Sequence, residues 1–304
     1  MIPERNKKST SWFSFMQYSA KSFLSSQNQI KPPRWPRIVN NDNLAKRSPL
    51  KFFLLTFALS TPFWLIGSMV EKGLPVPMNL PVSALSFVSP LIAALILTYR
   101  KSKLSGIEQL FKRIFDYKKI KPKLWYLLII FLLPAIYSLS YGIMRLLDRP
   151  LPEPQIPFLT IPILFIGFFI TAVCEELGWM GYASDSMRCR WSALTTGIVL
   201  GLVWGLLHVV PDIQAHHDLA WIVWQRGVYS VAFRILIVWI YNNTGNSIFA
   251  VVLFHDMDNV SWSLFPNNGS HYDPAITGLL TAITAVLVIF LWGSKTLARY
   301  RYAS

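Results

Sequence analysis

Charged residues and cysteines are both scarce in this sequence. Of its 304 residues only 14% are charged, against about 25% in an ordinary soluble protein, while 53% are hydrophobic. The mean hydropathy is +0.40. This balance excludes an ordinary soluble domain and predicts a protein that crosses a membrane several times. The two cysteines, Cys174 and Cys189, are too few for a disulfide framework.

Eight apolar stretches are long enough, or nearly so, to cross a bilayer, which takes about 20 residues of helix. We therefore expect an all-α, polytopic membrane protein with about eight transmembrane helices. The sixth stretch is interrupted by Arg226 and Arg234, and the seventh by His255, Asp256 and Asp258. The stretches cover approximately residues 52–70, 80–99, 124–144, 157–178, 192–211, 220–241, 246–265 and 273–293.

Positive charge is unevenly distributed between the loops. Of the 29 Lys and Arg residues, 24 precede the first stretch or lie in the loop 100–123, near residue 188 or in the C-terminal tail, all on one side of an eight-span topology. Cytoplasmic loops are enriched in these residues. The net charge of +14 is thus a signal of topology, with both termini in the cytosol. We expect a multi-pass protein of a prokaryotic plasma membrane, with the lipid bilayer as its partner. We do not expect it to bind nucleic acid, because no separate basic and aromatic module is present.

The chain divides into two parts by composition. Residues 1–50 are basic and rich in Ser, Asn and Pro, and no long apolar run precedes Phe52. We predict that they form a flexible cytosolic arm and contain no cleavable signal peptide. Residues 51–304 form the predicted transmembrane domain.

Two adjacent carboxylates, Glu175 and Glu176, stand at the end of the fourth apolar stretch. An acidic side chain at the centre of a membrane helix costs roughly 2.5–3.5 kcal/mol, and a neighbouring like charge adds to that cost. Such a residue by default indicates a functional site, although a pair at a helix end can also simply face water.

Further polar residues follow in the fifth and seventh stretches. Trp204 and His208 are four residues apart, as are His255 and Asn259, so each pair lies on one helix face. In an antiparallel hairpin of the fourth and fifth helices, Glu175 and His208 reach similar depths at about 1.5 Å of rise per residue. Each residue alone could merely join helices by hydrogen bonds. Together they predict a site built by helices 4, 5 and 7.

The chemistry that these residues support is hydrolysis. A carboxylate at low dielectric can act as a general base on water, a histidine can relay the proton, and His255 and Asn259 can donate to a developing oxyanion. An alternative uses Glu175, His208 and His255 as metal ligands, since one glutamate and two histidines form a known zinc set. Their order differs from the His-Glu-x-x-His spacing of soluble zinc proteases.

Three segments resemble the motifs of the CAAX prenyl protease and bacteriocin-processing family of intramembrane proteases. In the family's order they are Glu175–Tyr182, Trp204-x-x-x-His208 and His255-x-x-x-Asn259. The resemblance extends over about residues 80–290 and is closest in 171–260.

The resemblance implies an intramembrane endopeptidase that hydrolyses a peptide bond in a membrane-associated peptide or protein, with or without an attached lipid. By carry-over, Glu175 activates water together with His208, Glu176 supports it, and His255 with Asn259 forms the oxyanion site. The family is often classed among the metalloendopeptidases. We expect glutamate-activated water without a cofactor, with Zn²⁺ or another divalent metal as the alternative.

The sequence departs from the family at one position. An arginine usually follows five residues after the first glutamate, and here that residue is Met180. We hypothesise that Arg226 or Arg234 supplies the missing cation from the sixth helix. The departure leaves open a catalytically inactive bacteriocin-immunity or scaffold protein of the same fold. A proton-coupled transporter is less favoured, because the polar residues lie only in the second half of the chain and no repeated halves are visible.

Overall fold

The computed structural model describes residues 47–70, 72–78, 80–154 and 158–298. Within these ranges the regular secondary structure is entirely helical, and eight long helices can be followed. The predicted arm, residues 1–50, lies almost wholly outside the described residues. The helices are α1 (Pro49–Met69), α2 (Ser89–Lys112), α3 (Leu124–Leu146), α4 (Ile161–Gly178), α5 (Ala193–Gln214), α6 (Leu219–Ile222, continued by Val223–Tyr229 and Ser230–Asn243), α7 (Ile248–Leu264) and α8 (Pro274–Trp292).

Seven helical segments in the described part of the chain are long and apolar enough to cross a membrane. The all-α membrane fold predicted from the sequence is therefore confirmed. The segments are Pro49–Met69, Val82–Phe115, Leu124–Leu146, Ile161–Arg188, Ala193–Gln214, Leu219–Asn243 and Pro274–Trp292.

The predicted seventh span, 246–265, differs from the other spans. It forms α7, a helix of 17 residues that is not among the seven long apolar segments. Most residues of α7 are buried by the rest of the bundle, including His255, Asp256 and Asp258. This helix therefore belongs to the core of the bundle, where polar side chains can find partners.

Two helices contain a wide π-helical turn. Helix α4 continues beyond Gly178 as the turn Trp179–Ser184, which begins three residues after Glu176 and leads into the short helix Asp185–Arg188. In α6 the turn Val223–Tyr229 precedes the long segment that carries Arg234. Such turns occur frequently at functional sites.

Helices α5 and α6 approach each other closely because α5 presents three glycines at four-residue intervals. A Cβ atom at Gly197, Gly201 or Gly205 would lie 3.0, 2.5 and 2.6 Å, respectively, from backbone atoms of α6. Small residues at this spacing let membrane helices pack backbone against backbone. The close packing places the Trp204 side of α5 beside Arg234 on α6.

Arginine side chains connect the helices at one end of the bundle. Arg47 and Arg113 both donate to the carbonyl oxygen of Gly181, at 3.2 and 3.0 Å. Arg113 also forms an ion pair with Asp185 at 3.0 Å, and the hydroxyl of Tyr241 donates to the same carboxylate at 2.8 Å. Burial lowers the pKa of Arg47, and nearby Asp185 opposes that shift. These contacts hold the π-helical turn of α4, and hence the helix end that follows the two glutamates.

Candidate active site

Glu176 is fully buried and uses one carboxylate oxygen to bind two side chains. Its Oε1 accepts from Nη1 of Arg234 on α6 at 2.6 Å and from Nδ1 of His255 on α7 at 2.8 Å. Its Oε2 has no hydrogen-bond partner among the described residues. Burying a charge without a partner costs several kcal/mol, so the fully buried Arg234 explains how the carboxylate is retained inside the bundle.

Glu175 is 6% exposed and has different surroundings. Its Oε2 accepts from the indole Nε1 of Trp204 at 2.5 Å, while Nη2 of Arg234 lies 3.8 Å from the same oxygen. Glu175 thus has one close donor and a more distant cation. Of the two carboxylates, Glu175 is the more available to act on a ligand.

The guanidinium group of Arg234 also contacts two aromatic rings. It lies 4.4 Å from the ring centroid of Trp204 and 5.7 Å from that of Trp179. Cations over indole rings are attracted by about 0.5–2 kcal/mol, more when water is excluded. The arginine is therefore held by both carboxylates and by both rings.

Arg234 is the arginine of α6 that contacts the glutamates. Arg226, the other residue considered for the cation missing at Met180, instead forms a two-point ion pair with Asp212 of α5, at 2.6 and 2.7 Å. Met180 itself is fully buried. The structure thus brings a cation to the Glu pair from a helix remote in sequence from the first motif.

His208 is bound to Trp204 rather than hydrogen-bonded directly to a glutamate. Its Nδ1 donates to the carbonyl oxygen of Trp204 at 2.8 Å, and the two rings are 4.7 Å apart. This hydrogen bond fixes the tautomer and leaves the lone pair of Nε2 as an acceptor. The sequence predicted that His208 and Glu175 reach similar depths, and in the structure Trp204 contacts both of them.

His255 of α7 is the histidine that is hydrogen-bonded to Glu176. Its ring packs edge-on against Phe233 at 5.4 Å and Trp204 at 5.7 Å, and it is 2% exposed. Because Nδ1 donates to Glu176, Nε2 is the nitrogen that can interact with a ligand. Asn259 follows one helical turn later and is half-buried.

A metal ion in this site would need several ligands placed around one point. Among the described residues, no group of three His, Cys, Asp or Glu side chains is placed to hold a metal ion. In the predicted set of Glu175, His208 and His255, both histidines hydrogen-bond through Nδ1 and keep Nε2 for a ligand, while Nη2 of Arg234 lies 3.8 Å from Oε2 of Glu175.

One group of buried polar side chains, around Asp258, was not predicted from the sequence. Oδ1 of Asp258 accepts hydrogen bonds from Tyr229 on α6 and from Tyr137 on α3, the latter at 3.1 Å. An aspartate within a membrane helix is itself a signal that could have been used. The tyrosines carried no such signal, because a tyrosine in an apolar stretch does not reveal what its hydroxyl group binds.

Comparison with known proteins confirms the resemblance inferred from the three motifs. Residues 157–261 match the family described as type II CAAX prenyl endopeptidase Rce1-like. The chain is also 28% identical over 268 residues to a protein named CAAX prenyl protease 2 from Methanococcus maripaludis, a match that covers 81% of this chain and 94% of that protein. The family match includes both glutamates, both histidines, Asn259 and Arg234.

Proposed function

We propose that this chain, which resembles the type II CAAX prenyl endopeptidases, is an intramembrane endopeptidase that cleaves a membrane-associated protein or peptide. The comparisons support a CAAX-protease-like endopeptidase. The observation that carries the proposal is the asymmetry of the carboxylate pair. Glu176 is bound by Arg234 and His255, whereas Glu175 has one close donor and remains available for chemistry.

Glu175 is the general base in the proposed reaction. It takes a proton from water, and the water oxygen attacks the carbonyl carbon of the scissile peptide bond. The indole N–H of Trp204 donates a hydrogen bond to the carboxylate and holds its orientation during this step. The proton then passes to the leaving amine nitrogen, either from Glu175 directly or through Nε2 of His208.

Glu176 and Arg234 support this step without touching the water. Their ion pair keeps the guanidinium of Arg234 next to Glu175, with Nη2 at 3.8 Å from Oε2 of that carboxylate. Glu176 also fixes the orientation of the His255 ring through Nδ1. A similar carboxylate–histidine contact fixes the ring in many hydrolytic sites.

The oxyanion that forms on the substrate carbonyl needs hydrogen-bond donors. Nε2 of His255 donates when the imidazole carries a proton on each nitrogen, with Nδ1 donating to Glu176 at the same time. The amide of Asn259, on the same face of α7, is the second donor. Loss of one such donor typically costs about 10²–10³ in kcat.

The test is a cleavage assay on the full-length protein in liposomes. The substrates are peptides ending in a CAAX sequence, with and without a prenyl group, because the named relative is a prenyl protease. We expect Glu175→Gln, His208→Ala and His255→Ala to lose at least about 10²-fold in kcat. Glu108→Gln is the matched control, since Glu108 is an exposed glutamate paired with Lys112.

The same assay separates the alternatives. Normal cleavage by folded Glu175→Gln would refute the role of this residue, and loss of activity with a chelator that Zn²⁺ restores would refute the metal-free reaction. If the folded wild-type protein cleaves neither lipidated nor unlipidated peptides, the endopeptidase proposal fails in favour of an inactive member of the fold.

A further inference from the structure

Asp258 of α7 is a buried carboxylate that receives hydroxyl groups from two other helices. Its Oδ1 accepts from Tyr229 of α6 and from Tyr137 of α3 at 3.1 Å, and the two hydroxyl oxygens are 3.3 Å apart. All three side chains are at least 94% buried. The proposed reaction uses none of them, so this three-helix contact needs another explanation.

Tyr229 connects the contact to the active-site histidine. Its ring stacks on that of Phe233, one helical turn further along α6, with the centroids 5.8 Å apart. Phe233 packs against His255 at 5.4 Å. The surface of α6 that holds Asp258 is therefore the same surface that supports the His255 ring.

Tyr137 packs against a residue of the connection between α7 and α8. Its ring stacks on Tyr272 at 5.7 Å, and the hydroxyl of Tyr272 donates to Oε1 of Gln225 at 2.8 Å. Gln225 lies in the π-helical turn of α6. The tyrosine donors are thus fixed by packing and hydrogen bonds, and they can restrain the residue that they bind.

His255, Asp258 and Asn259 occupy positions i, i+3 and i+4 of α7 and share one face. Any rotation or axial shift of α7 moves the three residues together. We infer that Asp258, clamped by Tyr137 and Tyr229, is a positioning residue that fixes the rotation and depth of α7. It thereby sets where His255 and Asn259 point. This inference rests on the proposed function for the role of those two residues.

The first measurement is the kinetics of Asp258→Asn and Tyr229→Phe in the liposome assay. A small misplacement of catalytic groups can cost about 10²-fold, and we expect kcat to fall about tenfold or more while KM changes less than about twofold. Asp256→Asn is the matched control on the same helix, because Asp256 is fully buried and its oxygens have no hydrogen-bond partner among the described residues. Tyr126→Phe is the control on α3. Both controls should keep the wild-type kcat.

The second measurement reports position without relying on activity. The protein is labelled with 5-fluorotryptophan, and the fluorine resonance of Trp204 is assigned with Trp204→Phe. Because the Trp204 ring is 5.7 Å from His255, displacement of α7 should shift this resonance. We expect the shift in Asp258→Asn and Tyr229→Phe and not in the two controls.

The outcomes distinguish this inference from the proposed function. A wild-type kcat with an unshifted Trp204 resonance in folded Asp258→Asn and Tyr229→Phe overturns the inference, as does a fall in kcat without the shift. If the wild-type protein cleaves no substrate, the proposed function fails, and the resonance alone decides whether Asp258 sets the position of α7. If Asp258→Asn does not fold, Tyr229→Phe and Tyr137→Phe, which keep their rings, decide both measurements.

Discussion

At the scale of single residues, Glu175 and Glu176 are neighbours whose carboxylates bind different partners. Removal of Glu176 would leave Arg234 buried without its closest partner, whereas removal of Glu175 would leave the shorter ion pair intact. Breaking a buried pair by deleting one partner is strongly destabilising, by about 3–5 kcal/mol. Stability and activity should therefore respond differently to the two substitutions.

The first prediction compares Glu176→Ala with Glu175→Ala. We expect Glu176→Ala to lose about 3–5 kcal/mol of unfolding free energy because it strands Arg234. Glu175→Ala should lose less, while still abolishing cleavage. Unfolding in mixed detergent micelles, followed by circular dichroism, measures the difference. Equal destabilisation by the two substitutions would contradict the assignment of the closer ion pair to Glu176.

The second prediction concerns the cation. Arg234→Gln should reduce both stability and kcat. Arg226→Gln should leave kcat closer to the wild-type value, because Arg226 pairs with Asp212 and not with the glutamates. Adding Met180→Arg to Arg234→Gln should recover part of the lost kcat if the cation can act from the first motif. Initial rates in liposomes measure the effect. No loss of activity in Arg234→Gln would refute this role.

The sequence predicted part of this site because ionisable groups in membrane helices are costly. That argument found both glutamates, both histidines and the two arginines of α6. It could not choose between Arg234 and Arg226, because the choice depends on which residues of α5 and α4 face α6. It also did not predict the Trp204 indole as a donor to Glu175, since a tryptophan costs little in an apolar stretch and so gives no signal.

At the scale of helices, the contact between α5 and α6 depends on the absence of side chains. The three glycines of α5 face backbone atoms of α6, which cannot move aside as the end of a flexible side chain can. Added volume at a tightly packed position typically costs about 1–3 kcal/mol. This contact also aligns Trp204 with Arg234.

The third prediction is that Gly201→Ala destabilises the protein, because the new Cβ would lie 2.5 Å from Cα of Val231. Gly142→Ala on α3 is the matched control, since nothing lies within 4 Å of its Cβ position. The control should be neutral or gain about 0.5–1 kcal/mol from the better helix propensity of alanine. Thermal unfolding midpoints in detergent measure both changes. A midpoint of Gly201→Ala equal to that of the wild-type protein would contradict the close contact between α5 and α6.

The helices themselves were predicted well and their irregularities were not. Long apolar runs define seven of the eight helices, because crossing a membrane requires both length and hydrophobicity. The π-helical turns in α4 and α6 could not be predicted, since one extra residue in a helical turn does not change the amino-acid composition in a recognisable way. The predicted seventh span, 246–265, was three residues longer than α7, since Asn246 and Ser247 lie before the start of the helix and Phe265 after its end.

At the scale of the whole molecule, the arginines that tie one end of the bundle belong to segments predicted to face the cytosol. Arg47, Arg113 and Arg188 surround Asp185 there, with Arg188 at 3.7 Å. The ion pairs consolidate the end of α4, and the surplus of positive charge suits an anionic cytosolic leaflet. The orientation of the bundle remains a prediction that a labelling experiment can test.

The fourth prediction uses the two native cysteines to test orientation. Cys189 is exposed at the arginine-rich end, and Cys174 is only partly exposed. A membrane-impermeant maleimide should label Cys189 in inverted vesicles and not in intact spheroplasts, because the positively charged end is predicted to face the cytosol. The Cys189→Ser variant gives the background level of labelling that does not come from Cys189. Labelling of Cys189 in intact spheroplasts would reverse the proposed topology.

The short helix α7 has a consequence for hydration. At about 1.5 Å per residue its 17 residues extend about 26 Å, less than the roughly 30 Å of a bilayer's hydrocarbon core. The carboxylate of Asp116 binds Ser247 and the amides of Ile248 and Phe249 at the start of this helix, so a charged group is held at its end. A short element with a polar end is accommodated by local thinning of the bilayer. Such thinning would shorten the path of water to Glu175. The same helix that carries the proposed oxyanion donors would then help to supply water, the second reactant of the proposed hydrolysis.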